Sequence, residues 1–208
     1  MHSVYQKQLD HAKILIHALP WEERNFYANY LAQTYYFVCH STRLLARAIS
    51  YFSIEQDPLY RRFIAHIAEE NYHERLAEKD LKNLSLNIKN FPEHSLTKSF
   101  YESQYYKIEK TQGIGFLGYV LYLEAVAVFA YPEIATRLVS CYGEKCSKFL
   151  KVHTEEDPQH LNKAIQEIEK LNAQEQAQIW DNFTQTADIY HQILIDIKNH
   201  SVTRKKVA

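Results

Sequence analysis

The sequence predicts an all-α fold, a single bundle of seven to eight helices, and three observations carry that prediction. Only four glycines occur in 208 residues. The five prolines, at 20, 58, 92, 132 and 158, are spread as punctuation and do not gather into linkers. No segment alternates apolar and polar residues between the Asn-Gly or Asp-Gly turns that mark hairpins.

The expected helices follow from that punctuation and from the apolar period, because proline suits the first turn of a helix but not its interior. A first helix over 4–18 stops ahead of Pro20, and a long one over 21–52 runs on to the break before Pro58. The third, 58–88, repeats Phe63, Ile64, Ile67, Leu76 and Leu81 near the 3.6-residue period among charges, as an amphipathic bundle helix does. A fourth over 93–111 follows Pro92. The segment 114–130 is apolar nearly all round yet rich in tyrosine and too short to span a bilayer, so it reads as the central buried helix. Pro132 opens 133–152, Pro158 opens 158–171, and 174–199 closes the bundle before a short flexible tail from about 200 that holds Arg204-Lys205-Lys206. The whole chain, 1–208, fits one domain.

Charge narrows the function classes. Lys plus Arg (24) and Asp plus Glu (25) nearly cancel, which argues against nucleic acid or an anionic membrane as a partner. Three cysteines without a Cys-x2-Cys pair, a polar N-terminus and the absence of an eighteen-residue apolar run together predict a soluble, reduced, cytoplasmic protein.

Six residues suggest chemistry. Glu124 is the one ionisable group in Leu-Tyr-Leu-Glu-Ala-Val-Ala-Val, and a buried carboxylate needs compensation, either from a metal ion or from an Arg or Tyr of another helix. Glu70 and His73 lie three residues apart, about 60° around a helix, so both can reach one point. The surrounding run is highly charged, and a solvated face would give the same pattern. His66 stands one heptad earlier as a neighbour of the site or an alternative ligand. His153, Asp157 and His160, at spacings of four and three, fall on one helical stripe. Pro158 predicts a kink or restart there, with Asp157 as an N-cap in the structural alternative.

These residues resemble the haem-oxygenase-like dimetal oxidases, relatives of the thiaminase II and pyrroloquinoline-quinone synthase fold that bind non-haem iron in place of haem. His66-x2-Glu69-Glu70-x2-His73-x6-Asp80-Leu81 is similar to their first ligand helix, Gly118-x3-Tyr122-x-Glu124 to their central helix, and His153-x3-Asp157-x2-His160 to their last; Phe37-x2-His40-x2-Arg43-Leu44-Leu45 is similar to an early substrate-facing helix. The resemblance implies a haem-oxygenase-like bundle and two non-haem metal ions, iron or iron with manganese, held by Glu70, His73, Glu124, His153, Asp157 and His160. It implies oxidation of a small metabolite with O2, with a homodimer as the expected assembly and a last ligand helix that holds the second metal weakly. His40, Arg43 and Tyr131 are the further candidates for contact with substrate or site.

Other readings have their own signals. Gly113-x-Gly115-x2-Gly118 matches a dinucleotide fingerprint without the strand it requires, so close helix packing or substrate access explains it better. A thiaminase II-like hydrolase would need an active-site thiol, and none of Cys39, Cys141 and Cys146 has a fitting pattern. Haem chemistry would need His11 or His17 as axial ligand, and a helical interaction protein would need only remnants of the site.

Overall fold

The computed structural model describes the backbone of residues 3–205 and the side chains of 4–155, 161–162 and 164–201. Ten α-helices and three short 3-10 turns make up the described secondary structure, with no strand among the described residues. The helices are α1 (Ser3–His17), α2 (Arg24–Val38), α3 (Ser41–Ile49), α4 (Asp57–Glu69), α5 (His73–Asn83), α6 (Ser95–Lys110), α7 (Phe116–Ala130), α8 (Pro132–Tyr142), α9 (Lys148–Glu169) and α10 (Ala173–Lys205). No single helix among the described residues is long and apolar enough to cross a membrane.

α7 is the axis of the bundle. It is buried on nearly every face, and α1, α9 and α10 pack along it, with α6 and α8 at its ends. Gly118 permits the closest of these approaches: a Cβ there would lie 2.1 Å from the Ile179 carbonyl oxygen and 2.6 Å from the Phe183 nitrogen, both backbone atoms of α10. This glycine therefore serves helix packing and does not open a route for substrate. Gly113, at φ 85°, turns the chain between α6 and α7, where a side chain would be strained and would meet the Ala48 carbonyl. α7 and α8 meet at 63° across Tyr131 and Pro132.

Five expected helix boundaries are corrected. The expected helix 58–88 is two, because Tyr72 adopts φ 71° between α4 and α5, a left-handed conformation costly for a large side chain. The expected helix 21–52 is also two, bending at Cys39 and His40 with backbone still in the right-handed region. The expected 133–152 ends early at Gly143, whose φ of 82° only glycine adopts freely. α9 then starts at Lys148 and runs unbroken through Pro158 to Glu169, where a restart was expected. Leu150 ahead of the proline and Leu161, Ala164 and Ile168 beyond it are buried on one helical face, and that packing outweighs one missing backbone donor. At the other end, α10 carries helical backbone to Lys205, beyond the expected end at 199.

Candidate metal centre

The site forms where α4, α5, α7 and α9 converge. Glu70 ends α4 and His73 begins α5, so the left-handed Tyr72 lies between them. The pair does not sit on one continuous helix, yet the reversal keeps it together: His73 Nδ1 lies 3.5 Å from Glu70 Oε2. His153 arrives from the second turn of α9, and its ring meets the His73 ring edge-on at 4.9 Å between centroids. Glu70, His73 and His153 each offer a ligand atom within 4.8 Å of the others, a spacing that one metal ion can bridge. His153 Nδ1 lies 2.7 Å from the Phe149 carbonyl oxygen, so it donates there and leaves Nε2 as the ligand nitrogen.

α9 is itself held in register by Asp80 of α5, whose buried Oδ2 accepts the Phe149 backbone N–H at 2.7 Å. Burial pushes the Asp80 carboxyl up to about 6 against the pull of the Phe149 and Lys148 backbone donors. One aspartate thus ties the helix that carries Glu70's neighbour His73 to the helix that carries His153.

Glu124 enters from α7. It is 5% exposed, and neither of its oxygens accepts a hydrogen bond. Its charged neighbours are His66 Nε2 at 3.6 Å and an Arg62 nitrogen at 3.7 Å, both from α4. Burial pushes the Glu124 carboxyl up to about 7, opposed by His66 and Arg62. His66 Nε2 also lies 3.5 Å from Glu70 Oε1, so one imidazole stands between the two carboxylates. At Glu70 burial also raises the pKa, but hydrogen bonds from His66 and His73 and the charge of His153 outweigh it and hold the carboxyl well below its usual range. For His66, desolvation favours the neutral ring, and the two carboxylates reverse that and raise its pKa.

The donor set fits iron. Two carboxylates and two imidazoles in hand suit a hard-to-borderline divalent ion, and the orphaned oxygens of Glu124 are what a bound cation would satisfy. Asp157 and His160 stand on α9 four and seven residues beyond His153, and their side chains lie outside the described residues.

A cavity of about 90 Å³ opens beside the centre, and His66, Glu70, Glu124 and His153 line it. Its walls are mostly apolar, with Phe37, Val120, Leu123, Val126 and Ala127 among them. Tyr131 also lines it, seven residues or about 10 Å along the helix axis from Glu124. Its hydroxyl pairs with that of Tyr190 at 2.5 Å, and Tyr30 joins the same wall. The buried Tyr119 also lines the cavity, and its hydroxyl has no hydrogen-bond partner.

Two expected contacts are corrected. His40 lies outside the cavity lining, stacked on Tyr101 at 3.7 Å with Nδ1 3.0 Å from the Tyr105 hydroxyl. Arg43 is exposed and donates to the Cys39 carbonyl one turn back, so it does not reach a substrate in this cavity. The axial candidates are elsewhere as well: His11 packs against His191, and His17 Nε2 lies 3.1 Å from the Ala130 carbonyl. Sequence reasoning missed Arg62 and Tyr119. The signal for the first was present, since Arg62, His66 and Glu70 are spaced four and four on one stripe of α4.

Among solved structures, a domain of unknown function with a heme oxygenase-like fold from Shewanella denitrificans OS217 superposes with a TM-score of 0.84 at 15% identity, over 98% of this chain and 94% of that one. A TenA homolog from Pseudomonas syringae pv. tomato DC3000 superposes with a TM-score of 0.71 at 14% identity, over 94% of this chain and 92% of that one. These likenesses show the heme oxygenase-like fold. Comparison with curated protein sequences gives no match. The family model described as iron-containing redox enzyme matches residues 28–191, a span that includes every residue of the centre, and the chain belongs to that family.

Proposed function

We propose that the protein is a non-haem dimetal oxidase or oxygenase, using two iron ions or iron with manganese, that acts with O2 on a small metabolite with an apolar body. The observation that carries this reading is Glu124: a carboxylate buried on the central helix, without a hydrogen bond, lining the same cavity as Glu70 and His153. Glu70, His73 and His153 would hold one ion. Glu124, with Asp157 and His160 from α9, would complete the second position. When bound, the two ferrous ions supply the electrons that reduce O2.

The chain's own residues do the rest. Glu70 stays ionised because His66 and His73 stabilise its negative form, so it is ready as a ligand without releasing a proton. His66 Nε2 stands between Glu70 Oε1 and Glu124 Oε1, where it can hold the proton that Glu124 gives up on binding an ion. The apolar walls exclude water and seat the body of the substrate, while Tyr30, Tyr131 and Tyr190 offer a polar contact within the same cavity. None of the three cysteines lines this cavity, so a thiol-dependent hydrolysis has no nucleophile beside it.

The test is O2 uptake after anaerobic loading with Fe(II). The reading expects uptake above the free-iron background in the intact protein and its loss in His153→Ala. Equal uptake by the two would count against it.

A further inference from the structure

A second cluster of ligand-type residues lies outside the cavity and shares no residue with the centre above. His94 stands at the N-cap of α6, and Asp196 and His200 occupy positions four apart on α10, so sequence spacing alone puts the latter two on one face. The fold brings the three together. His94 Nδ1 lies 2.6 Å from Asp196 Oδ2, while His200 Nδ1, 3.3 Å from Asp196 Oδ1, donates to the Asp196 backbone carbonyl at 2.9 Å and leaves Nε2 as its ligand nitrogen. The two imidazole rings approach to 4.3 Å between centroids, and all three residues offer ligand atoms within 4.8 Å of one another. A tetrahedral ion with bonds of about 2.0–2.1 Å sets its ligand atoms about 3.3 Å apart. The three ligand atoms lie within 4.8 Å of one another, so side-chain rotation that releases the His94–Asp196 hydrogen bond can bring them to that value.

Two independent features distinguish this cluster from a chance ion pair. The first is rigidity at His94. Gln33 of α2 is fully buried, accepts the His94 backbone N–H at 2.9 Å and the Thr97 hydroxyl at 2.8 Å, and donates to the Pro92 carbonyl at 3.0 Å. A buried amide of the core is thus committed to holding the loop that presents one histidine. The second is charge. Asp196 faces the two imidazoles, and among the described residues no lysine or arginine pairs with it. A divalent cation would neutralise that carboxylate and use the imidazole lone pairs. A solvent-accessible groove, with Asn29 and Glu93 on its walls, leads to the cluster, and His200 is 58% exposed at its mouth.

We propose that His94, Asp196 and His200 form a second, independent site for a borderline divalent transition ion such as Zn2+, Ni2+ or Co2+, with solvent in the remaining coordination position. An ion there would fasten the C-terminal part of α10 to the loop ahead of α6, and through Gln33 to α2.

The experiment uses the chelator-stripped full chain carrying Glu70→Ala and His153→Ala, which removes the buried centre, titrated with Zn2+ alone and with Co2+ alone. One equivalent of Zn2+ should bind and raise the unfolding temperature, and Co2+ should give a visible band of low-symmetry coordination. His200→Ala or Asp196→Asn added to that background should weaken Zn2+ binding at least about tenfold and abolish the Co2+ band. If the double background does not fold, the intact chain is compared with His200→Ala, which alters only an exposed position, and the difference should be one equivalent of Zn2+. Zn2+ binding of unchanged stoichiometry and affinity in His200→Ala would overturn the proposal, as would no binding by the intact cluster.

Discussion

Glu124→Gln isolates the tension at the centre of the site, because it removes a charge that the metal-free fold accommodates poorly. The Glu124 carboxyl is raised from 4.5 to about 7. That rise corresponds to about 3 kcal/mol. The sign follows from which state binds the proton: the folded chain holds it more tightly, so the stabilising contribution is complete below pH 4.5 and fades as pH rises through about 7. Above pH 7 the ionised carboxylate is a net cost that glutamine does not impose. Arg62 keeps a partner in the variant, since Glu69 lies 3.2 Å from its other nitrogen. Urea unfolding in chelator should therefore find Glu124→Gln more stable than the parent at pH 8, by up to about 3 kcal/mol, with the gap closing by pH 5. Adding Fe(II) should narrow or reverse the gap, because the ion stabilises only the chain with the full carboxylate set. A variant that is equally or less stable at pH 8 without metal would refute the reasoning, since the carboxylate would then be well compensated by Arg62 and His66 alone.

Three further substitutions probe the frame around the centre. Asp80→Ala should cost about 1–3 kcal/mol by leaving the Phe149 N–H without its acceptor, and Asp80→Asn should recover most of it, as read by thermal unfolding. Gly118→Ala should destabilise by about 1–3 kcal/mol or more, because its Cβ meets backbone of α10 that no rotamer change can move. Ala127→Phe should fill the cavity without touching a ligand. It should retain iron on desalting and lose substrate-dependent O2 uptake; loss of iron together with uptake would show that the cavity and the centre are not separable.

Much of the fold was legible because the apolar period is strong. α7 is recognisable from 114–130 as the one segment apolar on every face, and it is the axis of the bundle. The breaks were not legible where they depend on single backbone torsions: Tyr72 gives no sign in its side chain that it will adopt φ 71°, and Cys39 and His40 bend without glycine or proline. Pro158 misled in the opposite sense, because a local rule about one missing donor was overruled by the packing of Leu150 ahead of it and of Leu161, Ala164 and Ile168 beyond it. At the site, spacing put Glu70 and His73 in reach of one point, and they meet although their supposed shared helix is broken; that His153 joins them was implied by the family resemblance and not by spacing. His40 and Arg43 failed because residues on a half-buried helix face can point away from a cavity that only the tertiary fold defines. Arg62 escaped notice among the charges of α4, and only its contact with Glu124 reveals its place.

A two-ion iron centre built from α4, α5, α7 and α9 is best checked by Mössbauer spectroscopy of protein loaded with isotopically enriched Fe(II), combined with metal analysis. The intact protein should hold two ferrous ions per chain and give a coupled diferric spectrum after exposure to O2, and Glu124→Ala should hold at most one ion. Iron retained at no more than the level of the Glu70→Ala/His153→Ala variant would contradict a two-ion centre.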